Sequence, residues 1–140
     1  MMAPDAPLWR LTARQIIYAV IPHLQNGPEV IMDNFIQVYT TTEDGDEARR
    51  IARSLVEKRL AACVQILGPV SSTYWWEDNV VEEHEYICVI KSRQDLYQDI
   101  EQSIREVHSY ETPEILAVRL SEGSSAYFDW MEKELKKNEG

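Results

Sequence analysis

The chain has 140 residues and a mass of 16.3 kDa, the length of one typical domain. With 44% hydrophobic and 27% charged residues it has the composition of a globular protein, which argues against disorder, collagen-like repeats and a disulfide scaffold. Fourteen basic and 24 acidic residues leave a formal net charge of −10, which disfavours nucleic acid and anionic membrane surfaces as partners.

The cysteines and the apolar runs predict the cellular compartment of the protein. Cys63 and Cys88 lie in apolar stretches without a CxxC pairing, which predicts buried free thiols. The sequence has no run of 18 apolar residues. The apolar run at 16–21 is short for a signal peptide and lacks a typical cleavage site. We therefore expect a cytoplasmic protein without a membrane span.

Residues 1–33 differ in composition from the rest of the chain. They contain four of the six prolines, and Met32 stands just before the first strong strand pattern. We predict an N-terminal extension over 1–33, either flexible or the product of a start codon assigned too early. A single folded domain is predicted over 34–140.

The domain opens with a predicted strand and helix. Residues 34–41 are rich in β-branched and aromatic side chains, which favours a strand. After a turn signal, Asp44 and Glu47 resemble a capping box. Apolar residues then recur at helical spacing on one face, so we expect a helix that ends near Arg59 or Leu60.

A long β-hairpin is predicted next. Residues 61–76 and 80–91 have strand character, and a turn signal separates them. Gly68 followed by Pro69 predicts a bend or bulge in the first strand. The aromatic segment 74–76 (YWW) favours an oligomer contact over a ligand-stacking site.

The last third predicts a helix, a strand and a final helix. Ser92 and Asp95 resemble a second capping box, before a helix that ends near His108. A fourth strand is predicted over 114–120 and a last helix over 125–137. The apolar stripe of that helix comprises Tyr127, Phe128, Trp130, Met131 and Leu135.

This order of elements, β-α-β-β-α-β with a C-terminal helix, predicts an α+β fold of the ferredoxin-like sandwich type. Helices would cover one face of its antiparallel sheet. The other face would present Tyr, Trp, Val and Ile side chains to water in a monomer. An apolar patch of that size is typical of an interface, so we expect a closed homo-oligomer.

One local cluster predicts a functional site. Residues 108–114 (HSYETPE) place an imidazole, a phenol and two carboxylates between a helix and a strand. Such groups can bind a divalent cation or carry out acid–base chemistry. The alternative interpretation is a histidine that interacts with the helix dipole before a turn. Motifs for phosphate loops, dinucleotide binding, zincins and nucleophile elbows are absent from the sequence.

Two further charged features each allow a structural and a functional interpretation. The segment 82–85 (EEHE) alternates between the two faces of a strand, so it predicts a solvated acidic hairpin rather than one ion site. Lys91 is a single cation near the end of the hairpin. It predicts either a salt bridge or an anion-binding group.

The sequence resembles the CutA divalent-cation-tolerance family over roughly residues 34–137. The resemblance rests on separated motifs in the family's order: 57–64 (EKRLAACV), 74–76, Glu85, Lys91 and 108–114. It implies a compact homotrimer of ferredoxin-like subunits whose long hairpins pair between subunits. It also implies a link to copper and other divalent cations, with no organic cofactor and no enzymatic reaction.

The resemblance also implies a set of site residues. Those expected to bind a ligand in the inter-subunit cleft are Glu85, Lys91, Tyr110 and Glu114, and the expected metal ligand is His108. Some bacterial members have a cysteine at the position of Tyr39 and a second histidine at the position of Val107. Because this chain lacks both, we expect copper or another divalent cation to bind only weakly.

Two other functions are alternatives to cation tolerance: a signalling module and an enzyme. The fold and assembly of the family resemble those of PII signalling proteins, so the alternative is a module that binds an anionic metabolite and a protein partner. Acylphosphatases share the fold but need an arginine in a phosphate-binding loop before the first helix. Residues 40–45 (TTTEDG) contain no arginine and two acids, so we do not expect an enzyme.

Overall fold

The computed structural model describes residues 34–137, and the predicted extension over 1–33 lies outside them. The elements are β1 (Phe35–Thr42), α1 (Gly45–Glu57), β2 (Cys63–Trp76), β3 (Asn79–Arg93), α2 (Tyr97–Val107), β4 (Leu116–Arg119) and α3 (Ser125–Glu134). The strands form one antiparallel sheet in the order β2-β3-β1-β4. The predicted α+β succession of elements is confirmed. None of the helices in the described range is long and apolar enough to cross a membrane.

The helices α1 and α2 cover one face of the sheet. Val38 pairs with Ile90 and Thr40 pairs with Cys88, and all four side chains are fully buried. Because side chains alternate along a strand, every second residue of β1 and β3 enters this core. The helices and the segment just before α2 contribute Ala48, Ile51, Leu55, Leu96, Ile100 and Ile104.

Helix α1 begins as predicted and ends earlier. The Asp44 carboxylate accepts the Glu47 N–H at 2.7 Å, as expected of an N-cap. The Glu47 carboxylate contacts another part of the chain, so this half of the predicted capping box is wrong. The helix ends at Glu57, because Arg59 adopts a left-handed conformation with φ of 56°.

The long hairpin formed by β2 and β3 is confirmed. Trp76 pairs with Asn79, and the two turn residues Glu77 and Asp78 have φ of 46° and 62°. Two consecutive positive φ values are typical of a type I′ hairpin turn. The register shifts between Leu67 and Val70, so the irregularity predicted at Gly68 and Pro69 is present.

The second capping box, predicted from Ser92 and Asp95, is wrong. Ser92 lies within β3, and its hydroxyl donates to the Leu60 carbonyl. β3 stays paired with β1 as far as Arg93, opposite Phe35, so the strand continues through the predicted cap. A 3-10 turn then precedes α2, which begins without a side-chain cap.

Helix α3 is shorter than the predicted 125–137, and its apolar stripe is only partly buried. Phe128 stacks on Phe35 with ring centroids 4.7 Å apart, and Met131 and Leu135 are buried. The other two predicted members, Tyr127 and Trp130, are 40% and 41% exposed. Their side chains therefore lie at the surface of a single chain.

Arg93 connects α3 to the sheet through ion pairs and a hydrogen bond. Its side chain is 8% exposed and forms ion pairs with Asp95 and with Glu132 of α3. It also donates to the Lys136 carbonyl at 2.9 Å. These hydrogen bonds to carboxylates raise the Arg93 pKa further above its usual range. The C-terminal helix is thus held by a charged contact as well as by apolar packing.

The face of the sheet away from α1 and α2 is open over much of its area. Leu67 of β2 is 51% exposed, and Leu116 and Val118 of β4 are 58% and 46% exposed. The strand β4 has four residues, fewer than the predicted 114–120. It forms one edge of the sheet and β2 forms the other.

Candidate functional site

The segment after α2 packs His108 against β1. His108 caps the C-terminus of α2, and its side chain is fully buried. Nδ1 accepts the Tyr110 N–H at 3.0 Å, so the ring proton of the neutral imidazole is assigned to Nε2, which lies 2.7 Å from the Thr41 carbonyl. Both ring nitrogens are therefore engaged, and a metal ion at Nδ1 would displace the Tyr110 N–H.

A buried carboxylate of α1, Glu47, contacts the same segment through Ser109. Glu47 is 2% exposed, and its two oxygens accept the Ser109 N–H at 2.5 Å and the Ser109 hydroxyl at 3.0 Å. Sequence reasoning missed this role. Glu47 lies one helical turn before Ile51, on the buried face of α1, and a buried charge needs a partner.

Tyr110 joins this segment to the hairpin. Its hydroxyl donates to the Glu85 carboxylate at 3.2 Å, and Glu85 is 7% exposed. Burial and the adjacent Glu85 charge raise the Tyr110 pKa well above its usual range. The phenol therefore stays protonated at neutral pH and remains a donor to the carboxylate.

A second phenol–carboxylate pair lies nearby, at the part of the hairpin that leaves the sheet. Tyr74 donates to Glu83 at 2.6 Å, and this hydrogen bond raises the Tyr74 pKa to about 12. The charges of Glu43 and Glu85 raise it as well. Within residues 34–137, no ion pair joins Glu43, Glu83 or Glu85 to a basic side chain. The region is therefore strongly anionic.

Lys91 lies at the opposite end of the sheet from Glu85. The two residues are six positions apart on one strand, which corresponds to roughly 20 Å. Lys91 pairs across the strands with Gln37 and Cys63, and its Nζ lies 5.6 Å from the centroid of the Tyr127 ring. One chain thus brings together His108, Tyr110 and Glu85 and does not bring Lys91 to them.

Glu114 lies on the side of the sheet that carries Tyr110. It is exposed and precedes β4, whose first residue, Leu116, pairs with Tyr39. Because β4 runs antiparallel to β1, the chain before Leu116 lies toward the end of β1, where the hairpin extends beyond the other strands. Glu114 therefore shares an end of the sheet with Glu85, while Lys91 does not.

The donors of a single chain do not fit a closed metal site. A transition-metal site usually needs three or four ligands of matched geometry. Among the described residues, no group of three or more His, Cys, Asp or Glu side chains is arranged to hold an ion. At the two family positions, Tyr39 accepts a hydrogen bond from Gln37 at 2.5 Å and Val107 supplies no donor atom.

A groove in the described surface lies away from these residues. It has a volume of about 590 Å³ and lies between the start of α2 and the edge strand β4. Its lining includes Ile36, Tyr97, Gln98, Ala117 and Arg119. None of the site residues predicted from the sequence lines it, so the groove adds nothing to the candidate site.

Comparisons with known proteins agree on one family. Residues 36–134 match the family model described as CutA1 divalent ion tolerance protein. The divalent-cation tolerance protein CutA of Archaeoglobus fulgidus is 37% identical over 102 residues, which are 73% of this chain and 97% of that protein. The chloroplastic protein CutA 1 of Oryza sativa subsp. japonica is 31% identical over 103 residues, or 74% of this chain and 58% of that protein.

A solved structure gives the same result. The crystal structure of CutA1 from the psychrotrophic bacterium Shewanella sp. SIB1 matches with a TM-score of 0.71 and 39% identity. The match covers 74% of this chain and 96% of that one. The family model spans well over half of the chain, and both sequence and fold agree with it. The chain therefore belongs to the CutA1 divalent ion tolerance family.

Proposed function

We propose that the protein is a non-enzymatic, homotrimeric divalent-cation-tolerance protein built from ferredoxin-like subunits. It binds copper or another divalent cation, or a small ligand, weakly at the clefts between subunits. The observation that carries this proposal is the Glu85 carboxylate, which is 7% exposed and has Tyr110 as its hydrogen-bond donor. A buried carboxylate without a counter-ion is costly, so a cation at this position would offset the cost.

The open face and edges of the sheet support a closed assembly. Within residues 34–137, β2 and β4 each have one edge without a partner strand, and exposed edges favour pairing with another chain. At the hairpin tip, Trp75, Trp76 and Val80 are 73%, 59% and 60% exposed. A ring of copies would bury these side chains and the open face together.

The incomplete donor set favours a cleft between copies over a site within one copy. Glu85, Tyr110 and Glu114 share one end of the sheet, and further donors would come from a neighbouring copy. His108 serves in this proposal mainly to position Tyr110 through its Nδ1. It becomes a metal ligand only when that nitrogen releases the Tyr110 N–H.

The proposal places the protein in the cytoplasm and gives it no catalytic reaction and no organic cofactor. Cys63 and Cys88 are free thiols, which suits a reducing compartment. The matching family model and the relative from Archaeoglobus fulgidus are named for tolerance of divalent ions and not for a reaction. Fluorescent tagging of the full chain, which includes residues 1–33, tests the location.

Native mass spectrometry of the purified full chain, alone and with stoichiometric Cu²⁺ or Zn²⁺, tests the function. We expect a trimer that takes up to three ions. Glu85→Gln should lose most of the uptake, since it removes the charge but keeps an acceptor for Tyr110. His84→Gln is the matched control, because His84 is an exposed imidazole on the same strand.

The outcomes separate the parts of the proposal. A trimer that stays without metal both at stoichiometric concentration and in large excess of Cu²⁺ or Zn²⁺ would contradict cation binding and would favour the alternative ligand, an anionic metabolite. Calorimetry with nucleotides would then identify that class. A stable folded monomer at micromolar concentration would contradict the assembly. Loss of metal from His84→Gln would point to a site on the hairpin and away from Glu85.

A further inference from the structure

Two charged side chains on the open face of β3 lack a partner of opposite charge among the described residues. Glu85 is buried and accepts a hydrogen bond from a neutral phenol. Lys91 is half-buried, and its Nζ faces the Tyr127 ring. Within the described range, neither residue takes part in an ion pair.

The strand keeps these two charges apart. Their even spacing along β3 puts both on the open face, and six residues of strand separate them by roughly 20 Å. Lys91 lies opposite Gln37, near the start of β1, whereas Tyr86, next to Glu85, lies opposite Thr42 at its end. The two side chains therefore cannot meet within one chain.

We propose that Lys91 of one copy forms an ion pair with Glu85 of a neighbouring copy, so that each cleft is completed by its neighbour. This pairing rests on the proposed homotrimer. In a head-to-tail ring, one patch of each subunit meets a different patch of the next. A copy would then give its carboxylate to one neighbour and its ammonium to the other.

The residues around Glu85 and Lys91 favour a second copy of the chain as the partner on this face. Between the two charges, the open face carries Ile87 and Val89, which a single chain leaves half-buried. Covering that surface with a second copy would remove both charges from water. Buried charges are tolerated when they are paired, so the same contact that buries the apolar residues also requires the ion pair.

The pairing has a consequence for cation binding. A divalent ion reaches Glu85 only by displacing the ammonium of the neighbouring Lys91, which acts as a built-in counter-ion. Lys91→Gln should therefore bind Zn²⁺ about tenfold more tightly than the wild type, whereas removal of a metal ligand would weaken binding. This direction of change distinguishes a competing cation from a group that binds the ligand.

Zero-length cross-linking tests the contact directly. A carbodiimide joins a carboxylate to an amine only when the two are in contact. We expect treated wild-type protein to form covalent dimers and trimers on a denaturing gel, linked between residues 85 and 91. Lys91→Arg keeps the charge but has no reactive amine, so its link should disappear while the trimer persists. The pair Lys136–Asp99, 2.8 Å apart within one chain, is an internal control that reacts without forming dimers.

Charge reversal tests the energetics. Glu85→Lys and Lys91→Glu each place like charges together, so each should raise the trimer dissociation concentration at least about a hundredfold. The double variant should recover to within about tenfold of the wild type. Glu85→Gln, which keeps an acceptor for Tyr110, separates loss of charge from loss of that hydrogen bond.

Each result decides between the proposals. A wild-type monomer in native mass spectrometry would overturn both the assembly and this pairing. A wild-type trimer would overturn the pairing alone if its cross-link survives Lys91→Arg, or if the double charge reversal dissociates as readily as the single variants. Recovery of the trimer in the double variant, together with loss of the link in Lys91→Arg, would support it.

Discussion

The two faces of one sheet differ in how much of their surface a single chain can satisfy. On the covered face, Val38 and Ile90 are fully buried beneath α1 and α2. On the open face, Leu67, Leu116 and Val118 remain about half exposed. Both faces carry apolar side chains, so composition does not distinguish them. The difference is that, over residues 34–137, two helices cover one face, whereas the other face has only α3 at one end.

Charged groups show the same contrast. Glu47, on the covered side, is buried and receives two hydrogen bonds from Ser109 of its own chain. Glu85, on the open side, is also buried, but the described part of the chain gives it one phenol as a donor and no cation. A charge on the covered side is thus satisfied locally, and a charge on the open side requires something from outside the chain.

The largest expected effect is a loss of folding stability on the covered face, compared with a loss of assembly on the open face. Ile90→Ala on the covered face should lower the free energy of unfolding by about 2–5 kcal/mol, because it leaves a cavity in a closed core. Leu116→Ala, its counterpart on the open face, should mainly weaken the trimer. Denaturant unfolding and mass measured against protein concentration check the two effects. Equal losses of unfolding free energy at low protein concentration would contradict the distinction between the faces.

A second prediction concerns the attachment of α3 at the end of the open face. Arg93→Met should cost about 2–3 kcal/mol, since it removes charged hydrogen bonds from a buried position. Hydrogen exchange should become faster over 125–134. Arg105→Met is the matched control: its ion pair with Glu101 is exposed, and its loss should cost no more than about 0.5 kcal/mol. Unchanged exchange in Arg93→Met would show that apolar packing alone holds the helix.

The smallest of these effects is the response of the covered face to alkaline pH. Burial raises the pKa of the Cys88 thiol from 9.0 to about 11. The unfolded chain therefore loses this proton first, and stability present below pH 9 should fall by about 2 kcal/mol as the pH rises toward 11. Ionisation of Tyr110, whose pKa is also raised, adds to the fall above pH 10.

Cys88→Ala isolates the contribution of the thiol to this pH dependence. Its unfolding free energy, measured by denaturant titration between pH 8 and pH 11, should fall less steeply than that of the wild type. Cys63→Ala is the control on the open face, where the thiol is half-buried. An identical pH profile for Cys88→Ala and the wild type would show that the thiol does not contribute.

Local patterns predicted the elements well and their ends less well. The Asp44 cap, the hairpin with its bulge after Leu67 and the buried stripe of α1 follow from residues close together in sequence. The cap predicted at Ser92 was wrong. Serine is a residue type typical of helix caps, yet β3 continues through Ser92 and pairs with β1. Pairing with a distant strand therefore overrode a local preference.

The candidate site was predicted in part. The sequence drew attention to His108, Tyr110 and Glu85, and in the structure Tyr110 contacts both of the others. It did not reveal that His108 uses both ring nitrogens within the chain, or that Glu47 holds Ser109. The contacts of His108 with Thr41 and of Glu47 with Ser109 join residues more than 60 positions apart, and no spacing rule reaches that far.

The sequence by itself determined the order of strands and helices, the length of the hairpin and the family motifs, because periodicity and turn chemistry act between neighbouring residues. Only the tertiary structure decided which face of the sheet is covered and which charges meet. Glu85 and Lys91 illustrate the reason. The family resemblance assigned both to one inter-subunit cleft, but an extended strand advances about 3.3 Å per residue and carries them to opposite ends of β1 within one chain.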